Sequence, residues 1–363
     1  MRHVRLFRNI PFRMSVGAHA CPKDPSLPMK LTRTCIAAVT TLSLCATAAP
    51  AFAAASGGTA PSQAAAQTTA VVQQATGTTG IAPTTAAGAG AIAKATIPAP
   101  GGAVTVTAPA TATGRVSVTA PNGTAITLGL PAATATPGTT SPAGTTVYPG
   151  AAPDTSLAVQ ATTDGGARAL VTLDNANAPT SQRFDLGLPA DASLRPSDDG
   201  GYDVVQTPAG GGVLTLGHID APWAKDANGD PVPTHYTLEG TTLVQAVQTS
   251  ATTAFPVVAD PLFTFGMGLY MNMGGAALTA TRASAVVVVH GGMVVACSGL
   301  AKLPTLISKF LSVACSIGVT PSLMSIVKDV AAAPAGLQAS ACYQMNLFDS
   351  GKGWKKVNAK NCR

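Results

Sequence analysis

Turn chemistry recurs so often through the middle of this chain that only short strands fit between the turns. Asn122-Gly123, Asp164-Gly165-Gly166, Asp199-Gly200-Gly201, Asn228-Gly229 and Glu239-Gly240 punctuate it. Glycine tolerates positive φ, and Asn or Asp side chains accept local hydrogen bonds, so such pairs mark hairpin turns. Segments alternating with period two lie between them, at 104–107, 116–119, 125–130, 157–162, 168–173, 183–188, 202–207, 213–219, 234–238 and 242–247. No stretch of helical length intervenes, which is the pattern of an antiparallel sandwich or barrel. Gly129-Leu130-Pro131 recurs as Gly187-Leu188-Pro189, each closing a strand, a hint of a duplicated strand-turn unit.

After Phe255-Pro256-Val257-Val258-Ala259-Asp260-Pro261 the character turns apolar. Helices are expected within 276–300, 305–317 and 320–333, the last with Thr320 as N-cap and Pro321 at its first position. A small hairpin turning at Ser350-Gly351 should close the chain, with Tyr343 and Trp354 on its strands. The fold class expected is therefore α+β in two parts. An acidic, antiparallel, β-sandwich-like module over 146–261 precedes a small, basic, helical, disulfide-bridged domain over 262–363. Residues 104–145 read as a short β segment and linker. Residues 54–103, rich in Ala and Thr and nearly free of charge, read as a disordered spacer unable to offset its ordering entropy.

Residues 29–53 carry the address. Lys30 and Arg33 precede an apolar run at 36–44, and Ala51-Phe52-Ala53 has the small-residue form of a cleavage site. This is a secretory signal, cut near Ala53 and too short to remain as a membrane span. Residues 1–28, with Arg2, Arg5, Arg8 and Arg13 but no apolar run, read as an extended leader or an unused upstream start. Export implies an oxidising compartment. Cys297, Cys315, Cys342 and Cys362 then remain, an even number that permits three pairings. The pairing expected is Cys342–Cys362 with Cys297–Cys315. Spacings of 18, 27 and 20, without a C-x-x-C pair, do not suit a compact zinc site.

Charge is divided between the two parts. From Thr145 to Pro261 there are 13 acidic residues against four basic, a balance of −9; from Leu262 onward nine basic face two acidic, +7. The net charge of the chain after Ala53 is zero, so the overall +6 says nothing about partners and no nucleic acid is expected. A basic apolar segment suits an anionic lipid surface or another cell's envelope. The contacts expected there are Arg282, Lys302, Lys309, Trp354, Lys355 and Lys356, with 286–295 inserting. The acidic module could mask them through complementary potential. Residues 285–301 lack formal charge, but His290 and Gly291-Gly292 make them marginal as a spanning helix.

Catalytic signatures are sparse. His218, His235 and His290 have no partner at metal-ligand spacing, and G-x-S-x-G and H-E-x-x-H are absent. The first two read as sheet-surface or loop residues, and His290 as a satisfied core position. Ser325-Ile326-Val327-Lys328 fits S-x-x-K without its companion motifs. Asp226, Asn228 and Asp230 begin like a calcium loop, but Pro231 replaces its glycine and Thr237 its last ligand. No cofactor, metal or catalytic residue is expected.

Ala221-Pro222-Trp223-Ala224, Pro233-Thr234-His235-Tyr236 and the Phe255–Pro261 run resemble a group of uncharacterised secreted proteins of actinobacteria. The tail pattern Cys342, Gly353-Trp354-Lys355, Cys362 is similar to some members. The resemblance covers roughly 145–363. It implies an exported β module joined to a short variable C-terminal part, as in delivered toxins, and supplies no catalytic residue. The expectation is a carrier or pro-module joined to a membrane- or cell-directed effector. A non-catalytic envelope or adhesion protein is the alternative.

Overall fold

Burial alternates with period two even where the sequence is dominated by alanine. In Ala93–Ala99, Ala93, Ala95 and Ile97 are buried while Lys94, Thr96 and Pro98 are exposed. A computed structural model describes residues 63–100, 102–208, 212–316, 323–348 and 351–363. The expected leader and signal, and the Thr320-Pro321 cap, lie outside the described residues.

A helix, α1 (Gln63–Thr76), comes first, then β1 (Thr84–Thr85), β2 (Ala93–Ala99), β3 (Gly102–Ala108), β4 (Arg115–Thr119) and β5 (Ala125–Gly129). The next strands are β6 (Thr139–Thr140), β7 (Thr145–Ala152), β8 (Thr155–Ala161), β9 (Gly166–Leu173), β10 (Ser181–Gly187) and β11 (Ala192–Pro196). They are followed by β12 (Tyr202–Gln206), β13 (Val213–Ile219), β14 (Ala224–Lys225), β15 (Thr234–Glu239), β16 (Thr242–Val247), β17 (Val257–Ala259) and β18 (Leu262–Gly274). The chain ends with α2 (Gly275–His290), α3 (Thr305–Ser316), α4 (Leu323–Ala331), β19 (Cys342–Asn346) and β20 (Lys355–Val357). Gly123, Gly165, Gly200, Gly229 and Gly240, the turn glycines of the sequence, all take positive φ.

The strands form two antiparallel sheets. One runs β1-β2-β3-β4-β5-β10-β16-β15. The other runs β11-β12-β13-β18-β9-β8-β7-β6, with β17 completing the β9 edge and β19-β20 attached to the far half of β18. The two Gly-Leu-Pro triplets end β5 and β10, which pair with each other, Leu186 opposite Leu128. β3 and β4 approach β8, β9 and β18 across one core that reaches from Ala82 to Trp354. Every residue of β8 is buried, because α1 covers the opposite face through Ala65 and Val72 against Val147, Ala158 and Leu170.

Three expectations are corrected. The described part of the expected 54–103 spacer is ordered: α1 and β2 belong to it, and both bury alanine and valine against strands that need a cover. Residues 262–274 are strand, not helix. Strand β18 pairs with β9 through Leu262–Thr264 and with β13 through both of its halves. The expected boundary at 261/262 thus falls inside a sheet and its core. Beyond β18, three helices and a disulfide-closed hairpin occur where the sequence suggested them. However, α2 stops at His290 instead of continuing to 300, because Gly291-Gly292 ends it and a short 3-10 turn over Cys297–Lys302 follows. Trp354 lies just before β20.

Candidate functional site

Five large apolar side chains are exposed among the described residues, and three, Val287, Val294 and Leu306, lie on the connection between α2 and α3 and the helix turns bounding it. Val294 is 86% exposed. The inward faces of the same helices are well packed, with Leu278, Ala285 and Val288 of α2 meeting Ile307, Phe310 and Leu311 of α3 in the common core. The outward residues are therefore left over after the helices have packed. The Cys297–Cys315 disulfide staples this connection to α3, and Lys302 and Lys309 stand exposed on it. No acidic residue occurs from Leu262 to Lys328. Among the described residues no helix is long and apolar enough to cross a membrane.

Of the six expected surface contacts, Lys302, Lys309, Lys355 and Lys356 are exposed. The other two turn inward. Arg282 donates through Nε to the Ala331 carbonyl at 3.3 Å, tying α2 to α4. Trp354 is buried against the core because its indole fills space beside the β19-β20 hairpin. Lys356 donates to Gln338 Oε1 at 2.7 Å. His290 is exposed at the end of α2, where its ring meets the Val286 carbonyl, rather than in the core. Asp226 spends Oδ1 on the N–H groups of Asn228 and Asp230 and Oδ2 on that of Ala254, which are turn contacts.

Sequence reasoning passed over His218 as a bland strand residue. Register sets it directly opposite Asp203, and Nδ1 meets Asp203 Oδ1 at 3.0 Å while Nε2 meets Asp199 Oδ2 at 2.9 Å. The Asp203 contact and, after the opposing effect of burial, Asp199 push the imidazole up to about 9. Burial alone would raise both carboxyls, but hydrogen bonds to His218 and its charge, with Gly201 N–H at Asp199 and Arg195 at Asp203, hold them below the usual range. An imidazole protonated at neutral pH cannot take a proton from a substrate. It is a clamp. Arg195 extends it, giving Asp203 one nitrogen and the carbonyls of Lys360, Asn361 and Arg363 the other. Lys360 and Asn358 meet Asp198, so the acidic module grips the basic tail directly.

A second polar group lies at the junction between β17 and β18. Asp260 is fully buried, and burial, its largest influence, pushes its carboxyl up to about 8. The Trp223 N–H reaches its Oδ1 at 3.4 Å, and the Tyr236 hydroxyl donates to its backbone carbonyl at 3.2 Å. Asp260 Oδ2 and the buried Arg168 Nη1 make no hydrogen bond among the described residues. The sequence marked Phe255–Pro261 as a junction but gave no sign that Asp260 is buried.

No protein-family model, curated protein or solved structure matches the chain. Among the described residues no group of three or more His, Cys, Asp or Glu side chains is arranged to hold a metal ion.

Proposed function

We propose that this is an exported protein that acts at anionic membrane surfaces through the outer face of its C-terminal helices. The observation that carries the reading is the exposed Val287, Val294 and Leu306 beside Lys302 and Lys309, on a stretch without acidic residues. Burying one Val or Leu side chain contributes about 1.5–3 kcal/mol. Each cation near an anionic surface adds about 1 kcal/mol. Two or three of each suffice for reversible surface binding, without a spanning helix. The reading takes residues 29–53 as the export signal, which the two disulfides support, and the two sheets as a β-sandwich serving as carrier. The resemblance to secreted proteins of actinobacteria points the same way.

Flotation of the full chain with vesicles tests the reading. Binding to phosphatidylglycerol vesicles should exceed binding to phosphatidylcholine and weaken with salt. Val294→Asp should cut it about tenfold or more, since a buried carboxylate replaces a buried methyl pair. Equal binding by Val294→Asp, or none by the native chain, would sink it. The alternative, a non-catalytic envelope or adhesion protein whose C-terminal part only packs, draws on one observation: the helices share the core of the sheets.

A further inference from the structure

We propose that the Asp260–Pro261 peptide bond is cut by the protein itself, yielding two chains that stay paired in one sheet. The inference is independent of membrane binding. Four features of the junction point to it. Asp260 is fully buried, and its side-chain Oδ2 has no hydrogen-bond partner among the described residues. The Tyr236 hydroxyl donates to the carbonyl oxygen of the bond to be cut, at 3.2 Å. The peptide is gripped on both sides: Asp260 N–H reaches the Trp223 carbonyl at 3.4 Å, and the Pro261 carbonyl accepts from Ala169 N–H at 2.9 Å. The leaving group is a proline nitrogen, a tertiary amide that loses no N–H hydrogen bond on departure.

The chemistry is an intramolecular acyl transfer. A carboxyl oxygen of Asp260 attacks the carbonyl carbon of the same residue and closes a five-membered anhydride. The carboxyl proton passes to the Pro261 nitrogen, the C–N bond breaks, and Pro261 becomes a free secondary amine. Water then opens the anhydride, restoring the side-chain carboxyl and leaving a new α-carboxyl on Asp260. Peptide plus water gives two chains, with no other reactant. In the tetrahedral intermediate the negative charge falls on the oxygen that Tyr236 already faces, so the phenol is its oxyanion donor. Fixed geometry replaces an encounter between separate molecules.

Protonation agrees with these roles. A neutral Asp260 carries both the nucleophilic oxygen and the proton that nitrogen needs, and burial keeps it neutral up to about pH 8. Arg168 opposes that shift, whereas Asp220 adds to it. Tyr236, raised by burial and by the charges of Asp260 and Asp220, stays a donor.

The full oxidised chain, incubated with peptidase inhibitors, should split into a fragment ending at Asp260 and one beginning at Pro261, visible on denaturing gels and by mass spectrometry. The native preparation should elute unchanged from a sizing column. The rate should fall as pH rises above about 8. Tyr236→Phe should slow it about tenfold or more. Asp260→Asn should abolish it. Hydroxylamine added during incubation should leave a hydroxamate on Asp260, a readout on the unaltered chain that does not depend on whether Asp260→Asn folds. A folded chain that stays whole, cutting elsewhere, or cutting without a hydroxamate would overturn the proposal.

Discussion

At the scale of single residues, His218 makes the sharpest claim. Its pKa in the fold, about 9, lies above the ordinary value of 6.5. Its contribution to stability is therefore complete below about pH 6.5 and fades as pH rises through about 9. His218→Gln should lower the melting temperature at about pH 6 and leave it close to wild type above about pH 10, as paired thermal melts would show. Tyr148 carries a second claim. Fully buried on β7, it donates to the Pro109 carbonyl at 2.6 Å and so ties the second sheet to the end of β3 in the first. Tyr148→Phe keeps the ring but strands that carbonyl, a loss of about 1–2 kcal/mol in denaturant titrations. Neither role was legible in sequence. Asp203 and Asp199 precede His218 by 15 and 19 residues, and only the β12-β13 register brings them to its ring.

At the scale of elements, legibility followed the size of the buried side chain. β13 and β16 have the bounds their large apolar residues mark. β2 was missed because its inward residues are mostly alanine, whose small side chains give little hydrophobic periodicity although Ala93 and Ala95 are buried. β18 was misread for a different reason. Its period is two, with Phe263, Phe265, Met267, Leu269, Met271 and Met273 alternating with Thr264, Gly266, Gly268, Tyr270 and Asn272. Reading everything after Pro261 as one apolar helical part passed over that pattern. The cysteine count permitted three pairings, and the two disulfides are the expected ones between sequence neighbours. Cys342–Cys362 fastens the tail that Arg195 grips, and closing a 20-residue separation is worth about 3 kcal/mol. Replacing both cysteines by alanine should lower the unfolding free energy by about that amount. Amide exchange at 358–363 should quicken before the sheets are affected.

At the scale of the whole molecule, the opposed charges do not mark separable halves. The acidic strands and the basic tail meet through Arg195, Asp198 and Lys360, and β18 belongs to the sheet of β9 and β13. A chain stopped after Pro261 should therefore fail to give a cooperative melt, because it exposes two unpaired strand edges and part of the core. Mixing it with a 262–363 chain during refolding should restore the melt, and a stable, monomeric 63–261 fragment would contradict this account. The highly exposed Val294 is, by contrast, dispensable to the fold. Replacing Val294, which is 86% exposed, by Ser should leave the melting temperature within about 1 °C, since it has little buried area to lose.

The central position of β18 also bears on the order of events at birth. Translation delivers the amino end first, yet β9 and β13 cannot become neighbours of a common strand until Gly274 has left the ribosome. About three quarters of the polypeptide must wait, with adhesive borders open, for a piece synthesised late. Until then those borders are available to wrong partners, so the vulnerable interval in making this fold ends only when β18 is in place.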